Sequence, residues 1–172
     1  MKGSKGYFKK LNKIVKDKLR PIFEGIAVSL LKDAMESKEH GDLTGNTLTS
    51  FTAGVYRDNK LVKTINLLTV SSLERPRLKK LSKDDGFISV ERYDDGEIMI
   101  VNSNSLIETD KRYGYQTAKD FLKSYSPNNV KGWSVVLTTG TEYSEYIETN
   151  RKLNVLTETF MNSSGIASSI IN

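Results

Sequence analysis

The chain has 172 residues, 37% of them hydrophobic and 27% charged, with a formal net charge of +5, one histidine and no cysteine. That length fits one domain able to bury about 70% of its unfolded surface. The missing cysteines exclude thiolate nucleophiles, Cys/His zinc sites and haem attachment, and any triad would depend on His40, which lies in the polar turn Glu39-His40-Gly41 and reads as a loop residue.

The charge is unevenly placed. Residues 1 to 20 hold seven lysines and Arg20 against Asp17 alone, so the remainder of the chain carries a small net negative charge. Phe8, Leu11, Val15, Leu19, Ile22, Ile26 and Leu30 recur at steps of three and four, which predicts helix from Tyr7 to Met35. Pro21 has no N–H for the Asp17 carbonyl, and in a helix interior this costs about 3 kcal/mol. Either the helix kinks there or, the favoured expectation, Pro21 opens a second helix at its first position. Residues 1 to 21 then form a hinged basic arm, with Lys9, Lys10, Lys13, Lys16, Lys18 and Arg20 available to phosphates or to an acidic protein surface. The second helix, with Ile22, Phe23, Ile26, Ala27, Leu30, Leu31, Ala34 and Met35 in one broad stripe, is the expected core helix, ending near Gly41.

Beyond it, Thr44-Gly45-Asn46 is a turn. Residues 51 to 56 and 61 to 67 flank Arg57-Asp58-Asn59-Lys60 as a hairpin, and 87 to 93 and 97 to 102 flank Asp94-Asp95-Gly96 as another. Residues 71 to 86 read as a long, partly helical excursion between the hairpins. Asp84-Asp85 and Asp94-Asp95 each run into a glycine, so they are read as turns and not as metal ligands. Ala118, Phe121, Leu122 and Tyr125 give a short helix face closed by Pro127. Trp133, Val135 and Leu137 alternate with Ser134, Val136 and Thr138 as a strand. After Gly140, Tyr143, Tyr146 and Ile147 form one face of a short helix with Glu142 and Glu145 in its first turn; so small a face needs the sheet or another subunit beneath it. Residues 153 to 161 read as a final strand or helix, the threonines leaning slightly to strand, and 162 to 172 read as a flexible C-terminal tail. The fold class is α+β: a long N-terminal helix on an antiparallel or mixed sheet of about four to six strands, two short helices and extended termini.

Two motifs carry a family resemblance. The strand, glycine and Tyr143-Ser144-Glu145-Tyr146-Ile147-Glu148 sequence resembles the strand and Tyr-Ala-x-Tyr-Val-Glu signature of a family of tailed-bacteriophage head-to-tail joining and tail-completion proteins. Asp42-Leu43-Thr44-Gly45-Asn46, followed by Ser50, is similar to that family's Asp-Thr-Gly-Asn-x-x-x-Ser turn between the long helix and the first strand. The likeness covers residues 22 to 66 and 130 to 161, with 67 to 129 matched loosely; the glycine turn and the Gly132-Trp133-Ser134 strand look most like versions from crAss-like phages. The resemblance implies a virion structural protein of the neck, made in the host cytoplasm and not an enzyme. By the same resemblance it would form a homo-oligomeric ring, of six or twelve copies, between portal and tail. No cofactor, metal or small-molecule substrate would be expected, the short apolar runs and the Lys2-Gly3 start predict no membrane span or signal peptide, and contact with genomic DNA is open. Residues 22 to 161 would be the ring-forming domain, with Tyr143, Tyr146, Ile147 and Glu148 at the subunit or partner contact and Asp42, Thr44, Gly45, Asn46 and Ser50 as a structural turn. A small cytoplasmic nucleic-acid-binding protein acting through the basic arm is the alternative, and an acid-only hydrolase built on the aspartates is a distant third.

Overall fold

The computed structural model describes residues 3–38, 46–68, 87–91, 98–102, 113–128, 131–141 and 143–171. It is an α+β fold, ordered along the chain as α1 (Gly3–Glu36), α2 (Asn46–Ser50), β1 (Thr52–Arg57), β2 (Lys60–Ile65), β3 (Phe87–Glu91), β4 (Ile98–Asn102), α3 (Tyr113–Ser124), β5 (Trp133–Thr138), α4 (Tyr143–Asn150) and α5 (Thr157–Ile171). The five expected strands are present but belong to two sheets, an antiparallel β2-β1-β5 sheet and a separate β3-β4 hairpin.

β1 is the centre of the molecule, buried from Thr52 to Tyr56, because helices cover both faces of its sheet. Ala53 and Val55 join Phe51 beneath Ala27, Leu31 and Ala34 of α1. Trp133, Val135 and Leu137 of β5 pack on that cluster, as the alternation predicted, and Phe23 stacks on Trp133 with 5.5 Å between ring centroids. The other face takes α3. A Cβ on Gly54 would lie 2.6 Å from the Tyr56 ring and 3.0 Å from Leu122, so the glycine vacates the space those two side chains fill. Tyr56 donates its hydroxyl to the Leu122 carbonyl at 2.5 Å, and burial together with the nearby Tyr125 pushes its pKa up to about 12. On α3 the expected face divides: Ala118 and Leu122 are buried, whereas Phe121 and Tyr125 stack on each other and remain partly exposed.

The first hairpin turns as read. Asp58 and Asn59 both have positive φ, 47° and 66°, as the two-residue turn matching strand twist requires. Asp58 also receives the Gly132 N–H on its carboxylate at 2.9 Å and donates its own N–H to the Gly132 carbonyl, which ties the turn to the start of β5. The tip of the second hairpin, the excursion at 71 to 86 and His40 lie outside the described residues.

Three expectations are corrected. α1 runs unbroken through Pro21, so residues 3 to 21 continue the core helix and form no hinged arm. Asp17 and Pro21 are both exposed, so the carbonyl that loses its N–H partner lies on the solvent side, and Arg20 and Glu24 bridge the proline with a 2.7 Å ion pair. Residues 157 to 171 are helix, the second of the two alternatives for 153 to 161 against the slight lean to strand, and 162 to 171 continue it and form no loose tail. α5 runs antiparallel to α1: Thr159 donates to Asp33 at 2.6 Å near one end, and Ile170 faces Gly25 at the other. A five-residue helix, α2, also stands where only a turn was read before β1.

Candidate assembly surfaces

The two motifs behind the resemblance, some ninety residues apart in sequence, meet at Gly114 near the start of α3. A Cβ on Gly114 would lie 2.9 Å from the Ser50 side chain, 3.0 Å from the Asn46 carbonyl and 3.0 Å from Thr141. Ser50 is fully buried and donates to the Thr47 carbonyl at 2.8 Å, closing α2 on itself. Asn66 adds donor bonds to the carbonyls of Thr49 and Phe51 at 2.7 and 2.8 Å. Asn46 and Ser50, expected in a turn, are instead the first and last residues of α2; Asp42, Thr44 and Gly45 lie outside the described residues.

The stretch after β5 is fixed from the same side. Gly140 lies so close to α3 that an added Cβ would fall 1.8 Å from the Gly114 carbonyl oxygen and 2.5 Å from the Ala118 nitrogen. Thr141 and Ser144 then share a short hydroxyl hydrogen bond, Thr139 donates to Ser144 at 2.6 Å, and the Ser144 N–H bonds the Thr141 carbonyl at 3.1 Å. These groups occupy the polar valences at the start of α4, where a helix leaves N–H groups without intrahelical partners.

Of the four residues expected at a subunit contact, two are used within the chain. Ile147 packs against the core cluster. Glu148 accepts the N–H groups of Leu156 and Thr157 at 3.0 and 2.7 Å, so its carboxylate caps α5. Burial raises the Glu148 pKa, but hydrogen bonds from the Thr157 side chain and the backbone at 155 to 157 outweigh it, and the carboxyl titrates below its ordinary range. The side chains of Tyr143 and Tyr146 lie outside the described part of the structure. An open groove of about 320 Å³ lies between α4 and α5, lined by Glu148, Lys152, Leu153, Thr157 and Met161.

Comparison with family models, curated proteins and solved structures gave no match. The surfaces must be judged from their own chemistry. Among the described residues no group of three or more His, Cys, Asp or Glu side chains could hold a metal, and no helix is long and apolar enough to cross a membrane.

The most conspicuous surface is the first half of α1. Lys10, Lys13, Lys18 and Arg20 are exposed, and Lys9 and Lys16 belong to the same helix. Leu11, Ile14 and Val15 are exposed with them, at 43%, 46% and 45%. A second apolar patch lies on α5, where Phe160, Met161 and Ile171 are 77%, 74% and 63% exposed. The sequence reading missed this patch because residues 162 to 169 are mostly small and polar. The signal was the period of Val155, Thr159, Ile166 and Ile170, which face inward or are half-buried, behind the Asn154 side chain that accepts the Glu158 N–H at 2.9 Å.

Proposed function

We propose that this chain is a structural protein of a tailed-phage virion, forming an oligomeric ring in the neck that joins portal to tail and completes the tail. The observation that carries the proposal is the first half of α1, a helical segment whose apolar side chains Leu11, Ile14 and Val15 have no cover among the described residues. A helix of that length gains little stability in water from backbone propensity and is normally held by packing of its apolar face. A partner outside the chain would supply that packing, as an assembly protein requires. The meeting of both resemblance motifs at Gly114 supports the family reading, because residues so far apart in sequence then belong to one structural unit.

The test is particle-based. Immunogold labelling of virions should mark the neck, and the purified chain should bind portal or tail-ring proteins. Label elsewhere, or a chain absent from particles, would overturn the proposal. The lysine face of α1 favours the second reading, nucleic-acid binding. If about five phosphates are neutralised, log K for duplex DNA should fall with log salt at a slope of about −4.5. Absent DNA binding at low salt assigns the lysines to an acidic protein surface.

A further inference from the structure

On a helix advancing 100° per residue, Leu11, Val15, Ile22, Gly25 and Asp33 fall within an arc of about 80°. Gly25 and Asp33 are the positions at which α5 lies on α1. The track that holds α5 thus continues as an apolar row beyond the point where α5 ends, and there Leu11, Ile14 and Val15 are open. The part of this track whose exposure is described, within residues 10 to 21, is about 18 Å long, close to the roughly 22 Å of α5.

α5 has the complementary surface. Its inner side is taken by α1, but Phe160, Met161, Ser164, Ser168 and Ile171 fall within about 100° on its outer side. That outer side is uncharged. Glu158 is the only charged residue of α5, and it flanks Met161. We propose that copies of this chain join head to tail, the Leu11, Ile14 and Val15 face of α1 in one copy seated on the Phe160, Met161 and Ile171 face of α5 in the next. This deepens the ring reading above and rests on its oligomeric part.

Charge selects the occupant. Two N-terminal halves of α1 facing each other would bring together the most basic segments of two chains, with Lys18 inside the apolar arc of each. Against α5 the Lys18 stem can lie on apolar surface while its ammonium reaches outward toward Glu158. The two patches differ and lie about 16 to 28 Å apart along α1, from the level of Ile14 to the levels of Gly25 and Asp33 that α5 covers. A contact between unlike patches repeats from copy to copy, and it closes into a ring when the rotation allows.

Blocking each patch alone tests this directly. L11E/V15E removes the α1 face and F160E/M161E removes the α5 face, all at exposed positions, so both variants should keep the wild-type circular dichroism spectrum and melting temperature. By mass photometry and light scattering at the highest soluble concentration, wild type should form closed oligomers and each variant alone should be monomeric. Their equimolar mixture should form a species of two protomers and nothing larger, because one good face remains on each partner. Wild type that stays monomeric, either variant that assembles like wild type, or a mixture that stays monomeric overturns the proposal. Pairing of α1 with α1 would be seen as unimpaired assembly of F160E/M161E. Unchanged self-assembly with portal binding intact would sink this contact and leave the neck reading standing. Head-to-tail oligomers from a chain absent from virions would do the reverse.

Discussion

Gly140→Ala should be among the most damaging single-methyl additions in this protein. The new Cβ would meet the Gly114 carbonyl oxygen at 1.8 Å and the Ala118 nitrogen at 2.5 Å, the two ends of one i to i+4 step in α3. Neither obstacle is a side chain that can rotate away. Either the 139 to 141 segment lifts off α3, breaking the hydroxyl contacts that start α4, or that turn of α3 opens. Overpacking ordinarily costs about 1–3 kcal/mol, and an obstacle made of backbone belongs at the upper end, about 3 kcal/mol. In a chain of this size that corresponds to a fall of about 6–12 °C in melting temperature. The matched control is Gly165→Ala, in exposed α5, where nothing lies within 4 Å of the added Cβ. Removing a helix-interior glycine there should stabilise by about 1 kcal/mol. Urea unfolding followed by circular dichroism would measure both. A Gly140→Ala variant within about 0.5 kcal/mol of wild type would mean that α3 does not press on this loop, and the meeting of motifs at Gly114 would have to be abandoned.

Leu31→Ala, at a fully buried position between α1 and β1, should cost about 2–5 kcal/mol in the same assay; a loss under about 1 kcal/mol would mean that α1 is not the core helix. Tyr56→Phe deletes the donor to the Leu122 carbonyl and should cost about 1 kcal/mol. Because the folded pKa of Tyr56 is raised to about 12 from 10, its contribution is complete below pH 10 and is lost as pH rises through 12. The phenylalanine variant should lack that part of the alkaline fall in stability, and identical pH profiles would refute the assignment. Glu148→Ala should leave the first N–H groups of α5 without their acceptor and cost about 1–2 kcal/mol. The Glu148 pKa is lowered by folding, so its contribution is present above the ordinary glutamate range and disappears as pH falls through the folded value; the wild-type and alanine melting curves should converge in acid. Deleting residues 1 to 20 should leave a folded body, since the first buried position of α1 among the described side chains is Ile26, and should abolish self-assembly; loss of the cooperative melt would show that the N-terminal part of α1 belongs to the core.

The elements legible in the sequence are those whose pattern is local. The Asp58-Asn59 turn follows from two residues that tolerate positive φ between alternating strands, and β5 follows from the alternation of Trp133, Val135 and Leu137 with their neighbours. The core half of α1 is equally plain, because its stripe from Ile22 to Met35 meets one sheet. The path of α5 was not legible. Its inner face is built from Thr159, Ser163, Ile166 and Ile170, a polar-looking series that becomes a packing surface only beside Asp33 and Gly25, more than a hundred residues earlier. Glu148 was read as a contact residue for the same reason: nothing in its neighbourhood announces that the chain will bring the start of α5 back to its carboxylate. Pro21 was misjudged because its local cost was weighed without the packing on the C-terminal side that holds α1 as one helix, or the solvent that accepts the freed carbonyl. Periodicity and turn chemistry report how a segment meets one face of a neighbour, so the sequence could specify the segments. Which face is covered, and by what, depends on distant parts of the chain, and only the tertiary structure decided that β1 is covered on both faces while Leu11, Ile14 and Val15 of α1 stay exposed among the described residues.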